Sequence, residues 1–393
     1  MTEITRVFSP AEVNRVDIRL ALGDLAIDAG GDQILLRASL RSNDEAELET
    51  TVAGGVLTIK NRSTNGWSTR GASPIDIRLT VPATAAVAIS AKTGLGDVSA
   101  KGVPGLREVQ TGKGDVRLAE GHSPLTVKTG MGDVAVRGWR GDLEIVTGKG
   151  DMAVSDLVGG LQGTTGAGDA RIERWQTTAT SHHLIKVGAG DITVSQMQAP
   201  SLEASVGRGD CALRQVAVPS LRVQCGVGDC AIAGDPQGGQ WDVRSGKGDL
   251  ALTLAAAAAA RVEAATRHGN LRSELPQVKV ARPGPASQFG GRSILVIGEE
   301  PRAEIRLDAI RGDISVRADS LATPSAAAPG RRTVVQVETP PVPVIELPAA
   351  PAPPALPAEP APDQSTALSV LESLARGEIS VDEAEMLLRS LDR

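Results

Sequence analysis

Short segments of alternating apolar and polar residues run through most of the chain, and many of them flank a Gly-Asp pair. Counted from the Asp, positions +1 and +3 are mostly apolar, as in Val134 and Val136, and position +2 is small or polar. Positions −8 and −6 are also usually apolar, as in Leu143 and Ile145. A period of two residues is typical of a half-buried strand. Each unit is therefore predicted to contain a strand, a glycine-rich turn, a second strand and a looser loop.

The Gly-Asp pair recurs at intervals of 18 to 22 residues over the central part of the chain. Its Asp residues are Asp97, Asp115, Asp133, Asp151, Asp169, Asp191, Asp210, Asp229 and Asp249. A degenerate copy follows at Gly269-Asn270, and a last copy at Gly312-Asp313. Glycine stands at position −1 in every copy and at −3 in nearly all. Only glycine accepts positive φ without a clash at Cβ, so the two glycines predict a tight corner.

A unit of this length cannot bury its own apolar face, whereas stacked units can. We therefore predict an all-β fold, a parallel β-solenoid (β-helix) of coils of about 18–22 residues, in which like residues of successive coils lie over one another. Right-handed coiling is expected from the preference of parallel crossovers. Antiparallel hairpins around each glycine turn are the alternative, but they would not require identical residues at an identical phase.

Four regions follow from the pattern and the composition. Residues 1–84 are predicted to form an N-terminal β cap and first coils, with a surface loop at 63–74, and residues 85–317 the solenoid repeats. Residues 318–363 are a linker rich in proline and alanine, since 12 of the 24 prolines lie between 324 and 362. Such a segment is typically extended.

Residues 364–393 return to helical spacing and predict a helical hairpin divided at Gly377. Ser380 and Glu383 form a capping box at the start of its second helix. The apolar face consists of Leu368, Leu371, Leu374, Leu387, Leu388 and Leu391. Two helices of about ten residues cannot bury this face alone. The hairpin is therefore predicted to bind a second copy of the chain, giving a homo-oligomer, or another protein.

Composition narrows the classes of function. The chain has no Tyr, six other aromatic residues and a net charge of −6. This disfavours an enzyme pocket lined with aromatic side chains and any nucleic-acid partner. No apolar run is long enough for a transmembrane segment. No signal-peptide pattern opens the chain, so the expected location is the cytoplasm, with peripheral association with the cell surface or envelope as the alternative.

The nine Asp residues are expected to line up along one edge, each carboxylate accepting a backbone N–H of its own turn. Bridging by Ca²⁺ is the alternative, but calcium-binding glycine-rich repeats have a period of nine residues, about half of this one. Position −2 often carries a basic residue, such as Lys113 or Lys149, which supplies positive charge. The ladder is therefore predicted to be structural.

The other candidate groups are also interpreted as structural. Cys211 and Cys230 share position +1 and are expected to stack as buried small hydrophobes, with Cys225 at the turn Thr position; a zinc site would require a fourth ligand. Arg-Gly-Asp occurs at 140–142, 208–210 and 311–313, but two of these copies arise because position −2 favours basic residues. His182-His183 is expected in a bulged loop. No catalytic residue, cofactor or metal site is predicted.

The phrases KTGMGDVAV (128–136), VTGKGDMAV (146–154) and LAAAAAARVEAATRHGNLRSELP (254–276) resemble the bacterial "putative adhesin" β-strand-repeat family, a domain of unknown function. The resemblance covers about residues 10–317. The phrase LSVLESLARGEISVDEAEMLLRSL (368–391) is similar to the short C-terminal helical hairpin called SHOCT-like. The resemblance implies a β-solenoid fold and a non-enzymatic role. Some relatives are connected with the cell-envelope stress response.

Our first hypothesis is thus a non-enzymatic, adhesin-like scaffold that oligomerises or docks through its C-terminal helices. A β-helical polysaccharide-active enzyme is one alternative, and it would require a pair of carboxylates outside the repeat pattern. The other alternative is a polymer-forming, cytoskeleton-like scaffold whose coils stack end to end.

Overall fold

The described part of the chain consists of β-strands in stacked coils. The structure, a computed structural model, describes residues 2–40, 48–61, 74–85, 87–178, 182–255, 258–274, 279–281, 291–297 and 300–319. In these ranges the strands form two sheets, of 15 and 16 strands. The predicted surface loop at 63–74 lies almost entirely outside the described residues. So does the chain from residue 320 onward, with the predicted linker and helical hairpin.

Most coils give one strand to each sheet. In spatial order, sheet A consists of β1 (Thr2–Phe8), β4 (Ile34–Leu40), β7 (Ile75–Val81), β3 (Leu25–Ala29), β9 (Val98–Lys101), β11 (Val116–Ala119), β13 (Val134–Arg137), β15 (Met152–Val158), β17 (Ala170–Gln176), β19 (Ile192–Gln198), β21 (Cys211–Ala217), β23 (Cys230–Asp235), β25 (Leu250–Ala255), β31 (Ile314–Asp319) and β27 (Leu271–Ser273). Sheet B consists of β28 (Lys279–Ala281), β29 (Gly291–Ile297), β26 (Ala260–His268), β30 (Ala303–Arg311), β24 (Gln240–Lys247), β22 (Ser220–Val227), β20 (Ser201–Arg208), β18 (Leu184–Ala189), β16 (Leu161–Ala167), β14 (Leu143–Lys149), β12 (Leu125–Met131), β10 (Leu106–Lys113), β8 (Ala88–Leu95), β2 (Arg15–Leu22), β6 (Val56–Asn61) and β5 (Leu48–Ala53).

Neighbouring coils pair in parallel and in register. Val134 of β13 lies between Val116 of β11 and Met152 of β15. In sheet B, Val127 of β12 pairs with Ile145 of β14. Because apolar residues of successive coils share one phase, they stack directly on one another and exclude water from a continuous core. The predicted parallel β-solenoid is confirmed, and the antiparallel hairpin alternative is wrong for the repeat region.

The core lies between the two sheets and includes three tryptophans. Trp139, Trp175 and Trp241 are each at most 1% exposed. Every one of them donates its indole Nε1–H to a backbone carbonyl oxygen at 2.7–2.8 Å. These bonds satisfy the only polar atom of each side chain, which a buried tryptophan requires. Gly121 leaves room for the Trp139 ring, since a Cβ on it would lie 2.1 Å from that ring.

The last two coils stack in the reverse of their order along the chain. In sheet B, β30 lies between β24 and β26, and in sheet A β31 lies between β25 and β27. The coil of Asp313 therefore separates the coil of Asp249 from the degenerate coil of Asn270. The polar end of β27, where Arg272 and Ser273 are exposed, suits the outermost place.

Antiparallel strands flank the solenoid at the N-terminal limit of both sheets and at the other limit of sheet B, whereas sheet A ends there in the parallel strand β27. At the N-terminal side, β2 and β3 stack on β8 and β9, followed by β6 and β7. Strands β1 and β4 then extend sheet A antiparallel, and β5 extends sheet B antiparallel to β6. At the other limit of sheet B, β29 pairs antiparallel with β26. These strands cover edges to which a further parallel coil would add.

Candidate functional site: the aspartate edge

The main candidate site is the edge where the coils pass from sheet B to sheet A, in most cases through a Gly-Asp corner; Asp76, which follows Ile75, and Asn270 are the exceptions. We call it the aspartate edge. In spatial order it consists of Asp76, Asp24, Asp97, Asp115, Asp133, Asp151, Asp169, Asp191, Asp210, Asp229, Asp249, Asp313 and Asn270. The predicted nine-residue ladder is thus part of a longer series.

Two glycines allow successive corners to pack closely. Gly150 has φ of +140°, and a Cβ on it would lie 2.2 Å from the carbonyl oxygen of Gly132. A Cβ on Gly148 would lie 2.5 Å from the carbonyl oxygen of Gly130. Real Cβ atoms do not approach backbone this closely, so both positions require glycine for space, and Gly150 also requires it for φ.

One carboxylate oxygen of each Asp accepts the backbone N–H of the equivalent residue in the next coil. Asp133 Oδ1 accepts the N–H of Asp151 at 2.8 Å, and Asp151 Oδ1 accepts the N–H of Asp169 at 2.8 Å. The prediction that each carboxylate serves its own turn is wrong, because in-register stacking brings the next corner's N–H within reach. The bonds therefore join coils to one another and do not close single turns.

The hydrogen bonds offset repulsion between the stacked charges. A hydrogen bond to a charged group contributes about 1.5–3 kcal/mol, and carboxylates about 5 Å apart at a surface repel by an amount of similar order. Arg117 adds a positive charge, since its guanidinium contacts Asp97 at 3.3 Å and Asp115 at 2.7 Å. Lys113 and Lys149, both exposed, add further positive charge at position −2.

Buried hydroxyls lie directly beneath the corners, at position −4. Thr111 donates its hydroxyl to the carbonyl oxygen of Gly96, the corner glycine of the preceding coil, at 3.2 Å. Thr147 makes the equivalent bond to Gly132 at 3.4 Å. Thr165 is different, because its buried Oγ1 has no hydrogen-bond partner among the described residues. The next coil carries Val187 at this position.

A second corner lies at position +5, where non-glycine residues adopt left-handed backbone conformations. Glu120, Asp156, Arg174, Gln196 and Gln215 have φ between 52° and 58°. Sequence analysis missed this corner because these residues do not favour it. The available signal was a glycine at position +5 in three other coils, at 102, 138 and 234, of which the first two have positive φ.

An ion pair crosses two coils at this second corner. The Arg174 guanidinium contacts the Asp156 carboxylate at 2.6 and 3.1 Å. These hydrogen bonds lower the pKa of Asp156, and the positive charge of Arg174 acts in the same direction. The pair holds neighbouring left-handed corners together.

The three cysteines lie beneath the aspartate edge. Cys211 of β21 pairs in register with Cys230 of β23, as predicted. Cys225 of β22 occupies the −4 position, and its sulfur faces the other two across the core. The three Sγ atoms lie within 4.8 Å of one another. Hydrogen bonding first from Cys211 and then from Cys230 lowers the pKa of the Cys225 thiol.

An open groove of about 520 Å³ lies on the outer face of sheet A. Ala135 and Ala153 are among its small lining residues, and Arg137, Arg171 and Glu173 are among its charged ones. Arg171 donates to Glu173 at 2.7 Å, and this hydrogen bond lowers the pKa of Glu173. The groove therefore combines a shallow surface of small side chains with paired charges.

On the outer face of sheet B, Glu108 contacts Lys92 at 2.7 Å and Ser90 at 2.9 Å. Burial alone would raise the pKa of Glu108, but the hydrogen bonds from Lys92 and Ser90 outweigh it and lower the pKa. A general acid at neutral pH requires a raised carboxyl pKa. Glu108, Asp156 and Glu173 are shifted in the opposite direction.

The remaining sequence candidates occupy structural places. Gly209 and Gly312, within two of the Arg-Gly-Asp triplets, are corner glycines, and a Cβ on either would lie 2.0–2.1 Å from the carbonyl oxygen of the preceding corner glycine. His182 is exposed, but His183 is 1% exposed and packs edge-on against Trp175 with 5.3 Å between ring centroids. His183 lies outside the strands, between β17 and β18, as expected for a loop, but its side chain is buried against the core. The apolar residues of the predicted helices (Leu368, Leu371, Leu374, Leu387, Leu388 and Leu391) lie outside the described residues.

The stacked coils, in-register parallel sheets and glycine corners define the chain as a two-sheet parallel β-solenoid protein. A family model described as Toastrack DUF4097 matches residues 13–184 and 141–317. Since the two matches together span most of the chain, the protein belongs to the Toastrack DUF4097 family. No curated protein matches it.

Solved structures similar to the chain include three bacterial proteins. A "putative adhesin" from Parabacteroides distasonis ATCC 8503 is 11% identical, with 81% of this chain and 97% of that chain covered and a TM-score of 0.33. A "putative adhesin" from Bacteroides fragilis NCTC 9343 is 14% identical, with 81% and 97% covered and a TM-score of 0.28. A "putative cell adhesion protein" from Clostridium sporogenes ATCC 15579 is 9% identical, with 81% and 99% covered and a TM-score of 0.19.

Helices capable of crossing a bilayer, which would have to be both long and apolar, do not occur in the described ranges.

Proposed function

We propose that the protein is a non-enzymatic, adhesin-like scaffold that binds a second copy of itself, or another protein, through residues 364–393. The observation that carries this proposal is the uniform use of the aspartate edge. Each Asp from Asp76 to Asp313 accepts a backbone N–H of a neighbouring coil. Carboxylates used in this way stabilise the stack and are poorly placed for acid–base chemistry, which requires a carboxyl free to gain and lose a proton.

The structure gives less support to a polysaccharide-active enzyme. Such an enzyme uses two carboxyls about 5–10 Å apart, one of them with a raised pKa. In the sheet A groove, the Glu173 carboxylate is paired with Arg171, and its pKa is lowered. Depolymerisation of a polysaccharide by the purified protein, lost on Glu173→Gln, would overturn the non-enzymatic proposal.

End-to-end polymerisation is also disfavoured. A filament of stacked coils requires open parallel edges at both limits of each sheet. In the described residues, β1 and β4 close one limit of sheet A, β5 closes the same limit of sheet B, and β28 and β29 close the other limit of sheet B, all through antiparallel pairs. Self-association through residues 364–393 is therefore the form that we propose.

The test compares the full chain with a chain that ends at residue 363. Light scattering is expected to give a lower mass for the shorter chain, with unchanged far-UV circular dichroism from the β-strands. Leu388→Glu in the predicted apolar face should reproduce the loss. Arg389→Glu, one residue away and outside that face, is the matched control and should keep the mass of the full chain.

Equal masses for the full and shortened chains would exclude self-association. In that case, crosslinking through residues 364–393 in fractionated native cells decides between docking and no role. Capture of one defined protein that Leu388→Glu abolishes would support docking, whereas no specific capture would overturn the proposal. The same fractions test the envelope association that the family resemblance implies.

A further inference from the structure

The three cysteines form a closed group of sulfur atoms in the core, which we call the thiol cluster (Cys211, Cys225 and Cys230). They are 1%, 4% and 1% exposed. Their Sγ atoms converge because Cys211 and Cys230 point inward from neighbouring strands of sheet A, while Cys225 points inward from sheet B. Two coils and both sheets are required to assemble the cluster.

The surroundings of the cluster are mainly apolar. In sheet A, Ile192 pairs with Cys211, and Leu250 pairs with Cys230. In sheet B, Cys225 pairs with Val206 on one side and Ser245 on the other, where the Ser245 hydroxyl donates to a backbone carbonyl at 3.4 Å. Among the described residues, no His, Asp or Glu joins the three sulfurs as a fourth close donor.

The separation of the sulfurs suits one atom bound to all three. Since each pair is within 4.8 Å, a point exists no more than about 2.8 Å from every sulfur, against a typical thiolate bond to zinc of about 2.3 Å. Closing that gap takes a shift of about 0.5 Å per sulfur, within the range of small changes in side-chain torsions. The coordination number available from the described donors is three.

Charge and coordination number decide which atom fits. Zinc(II) prefers four ligands, and with three thiolates it would leave a net charge of −1 in the core. Copper(I) with three thiolates would leave −2. A buried charge with no partner is strongly unfavourable. Trivalent arsenic binds three thiolates with no net charge, and its lone pair occupies the place of a fourth ligand.

We propose that the thiol cluster is a binding site for a trivalent, thiophilic group-15 element, of which arsenic(III) is the representative used here. Arsenous acid and three thiols give one tris-thiolate and three molecules of water. Three As–O bonds break and three As–S bonds form, and each thiol proton leaves with a hydroxide. No electron is transferred, so the reaction requires neither oxidant nor reductant.

Entry to the site is expected through the corner above it. Cys225 directly precedes Gly226, while Cys211 and Cys230 directly follow Asp210 and Asp229 of the aspartate edge. The cluster is therefore covered by one layer of backbone. Local opening of a single corner would expose it, and such openings require less free energy than global unfolding.

The test uses the full-length, reduced protein and sodium arsenite. Native mass spectrometry is expected to show one adduct per chain, heavier by one arsenic atom less three hydrogens. Arsenite should also slow the alkylation of all three thiols, which a reagent reaches only through local opening because they are at most 4% exposed. An adduct that appears only after unfolding, or one that leaves a thiol free, would overturn the proposal.

Matched variants use residues that the repeat itself carries at these positions. Cys225→Thr restores the usual −4 residue, and Cys230→Val restores a usual +1 residue, so both should keep the circular dichroism of the parent. Each is expected to weaken arsenite binding by at least about tenfold, or about 1.4 kcal/mol. Unchanged binding in either variant would refute the three-sulfur site.

Competition with other thiophilic ions tests the argument from charge. Zinc(II) and copper(I) should bind the native protein more weakly than arsenite, because their complexes would be charged. If either ion displaced arsenite at equal concentration, the neutral complex would not be the preferred one and the assignment to arsenic would be wrong. These measurements are independent of the proposed scaffold function.

Discussion

Replacement of a single corner glycine should destabilise the stack far more than replacement of a glycine in an open turn. In Gly150→Ala, the new methyl group would lie 2.2 Å from the Gly132 carbonyl oxygen and 3.0 Å from the Asp133 carboxylate. Backbone atoms cannot yield to it without separating the two coils. The residue would also hold φ near +140°, where side chains other than hydrogen are strained.

The magnitude follows from two contributions. A strained backbone conformation costs about 1–3 kcal/mol. Separating the coils weakens three hydrogen bonds at this corner, each contributing about 1 kcal/mol. They run from Gly132 N–H to Lys149 O at 2.9 Å, from Val134 N–H to Asp151 O at 2.8 Å and from Asp151 N–H to Asp133 Oδ1 at 2.8 Å. The expected loss in the free energy of unfolding is therefore about 4–6 kcal/mol.

Chemical denaturation followed by circular dichroism measures this loss as a shift of the midpoint. Gly54→Ala is the matched control, because Gly54 also has positive φ, +57°, but a Cβ on it would meet nothing within 4 Å. It should cost only about 1 kcal/mol. If the two variants had equal midpoints, close packing of the corners would not be the reason for the repeated glycine.

Two further predictions concern the corners. Asp151→Ala removes the acceptor of the next corner's N–H and should cost about 1–2 kcal/mol, whereas Asp151→Asn keeps an acceptor oxygen and should be nearly neutral; equal losses in thermal unfolding would contradict the role of the hydrogen bond. Thr165→Val removes a buried hydroxyl that has no partner among the described residues and should stabilise the protein by about 1 kcal/mol. Thr111→Val, which loses the bond to Gly96, should destabilise it, and the same sign for both variants in denaturation midpoints would count against this account.

The repeat pattern predicted the fold because the repeat period of 18–22 residues and the alternation of apolar and polar residues are both visible in the sequence. Inward residues such as Val134 and Ile145 are apolar in most coils, and the corner glycines are nearly invariant. The direction of the Asp hydrogen bonds was not predictable from one coil, since the donor belongs to the next coil. Propensity also gives no sign that Arg174 or Gln196 adopts left-handed φ, because packing imposes it there.

The repeat pattern alone does not predict that the three sulfur atoms of the thiol cluster meet. Cys211 and Cys230 share a position in the repeat, so their stacking was predictable. Cys225 lies at a different position, and only the distance between the two sheets shows that its sulfur meets the other two. The order of the last coils was also not predictable from the sequence. Both β26 and β30 carry the apolar alternation of sheet B, so either strand could have been expected beside β24.

The reversed order of the last two coils has a consequence for biosynthesis. During translation β26 leaves the ribosome before β30 has been synthesised, and at that moment the exposed edge of β24 can pair with β26. Early docking of β26 would occupy the place of β30 and trap a misregistered intermediate. We therefore expect productive folding to leave the segment at 260–273 undocked until residues 303–319 have emerged, so that the last coils form after this part of the chain has been translated.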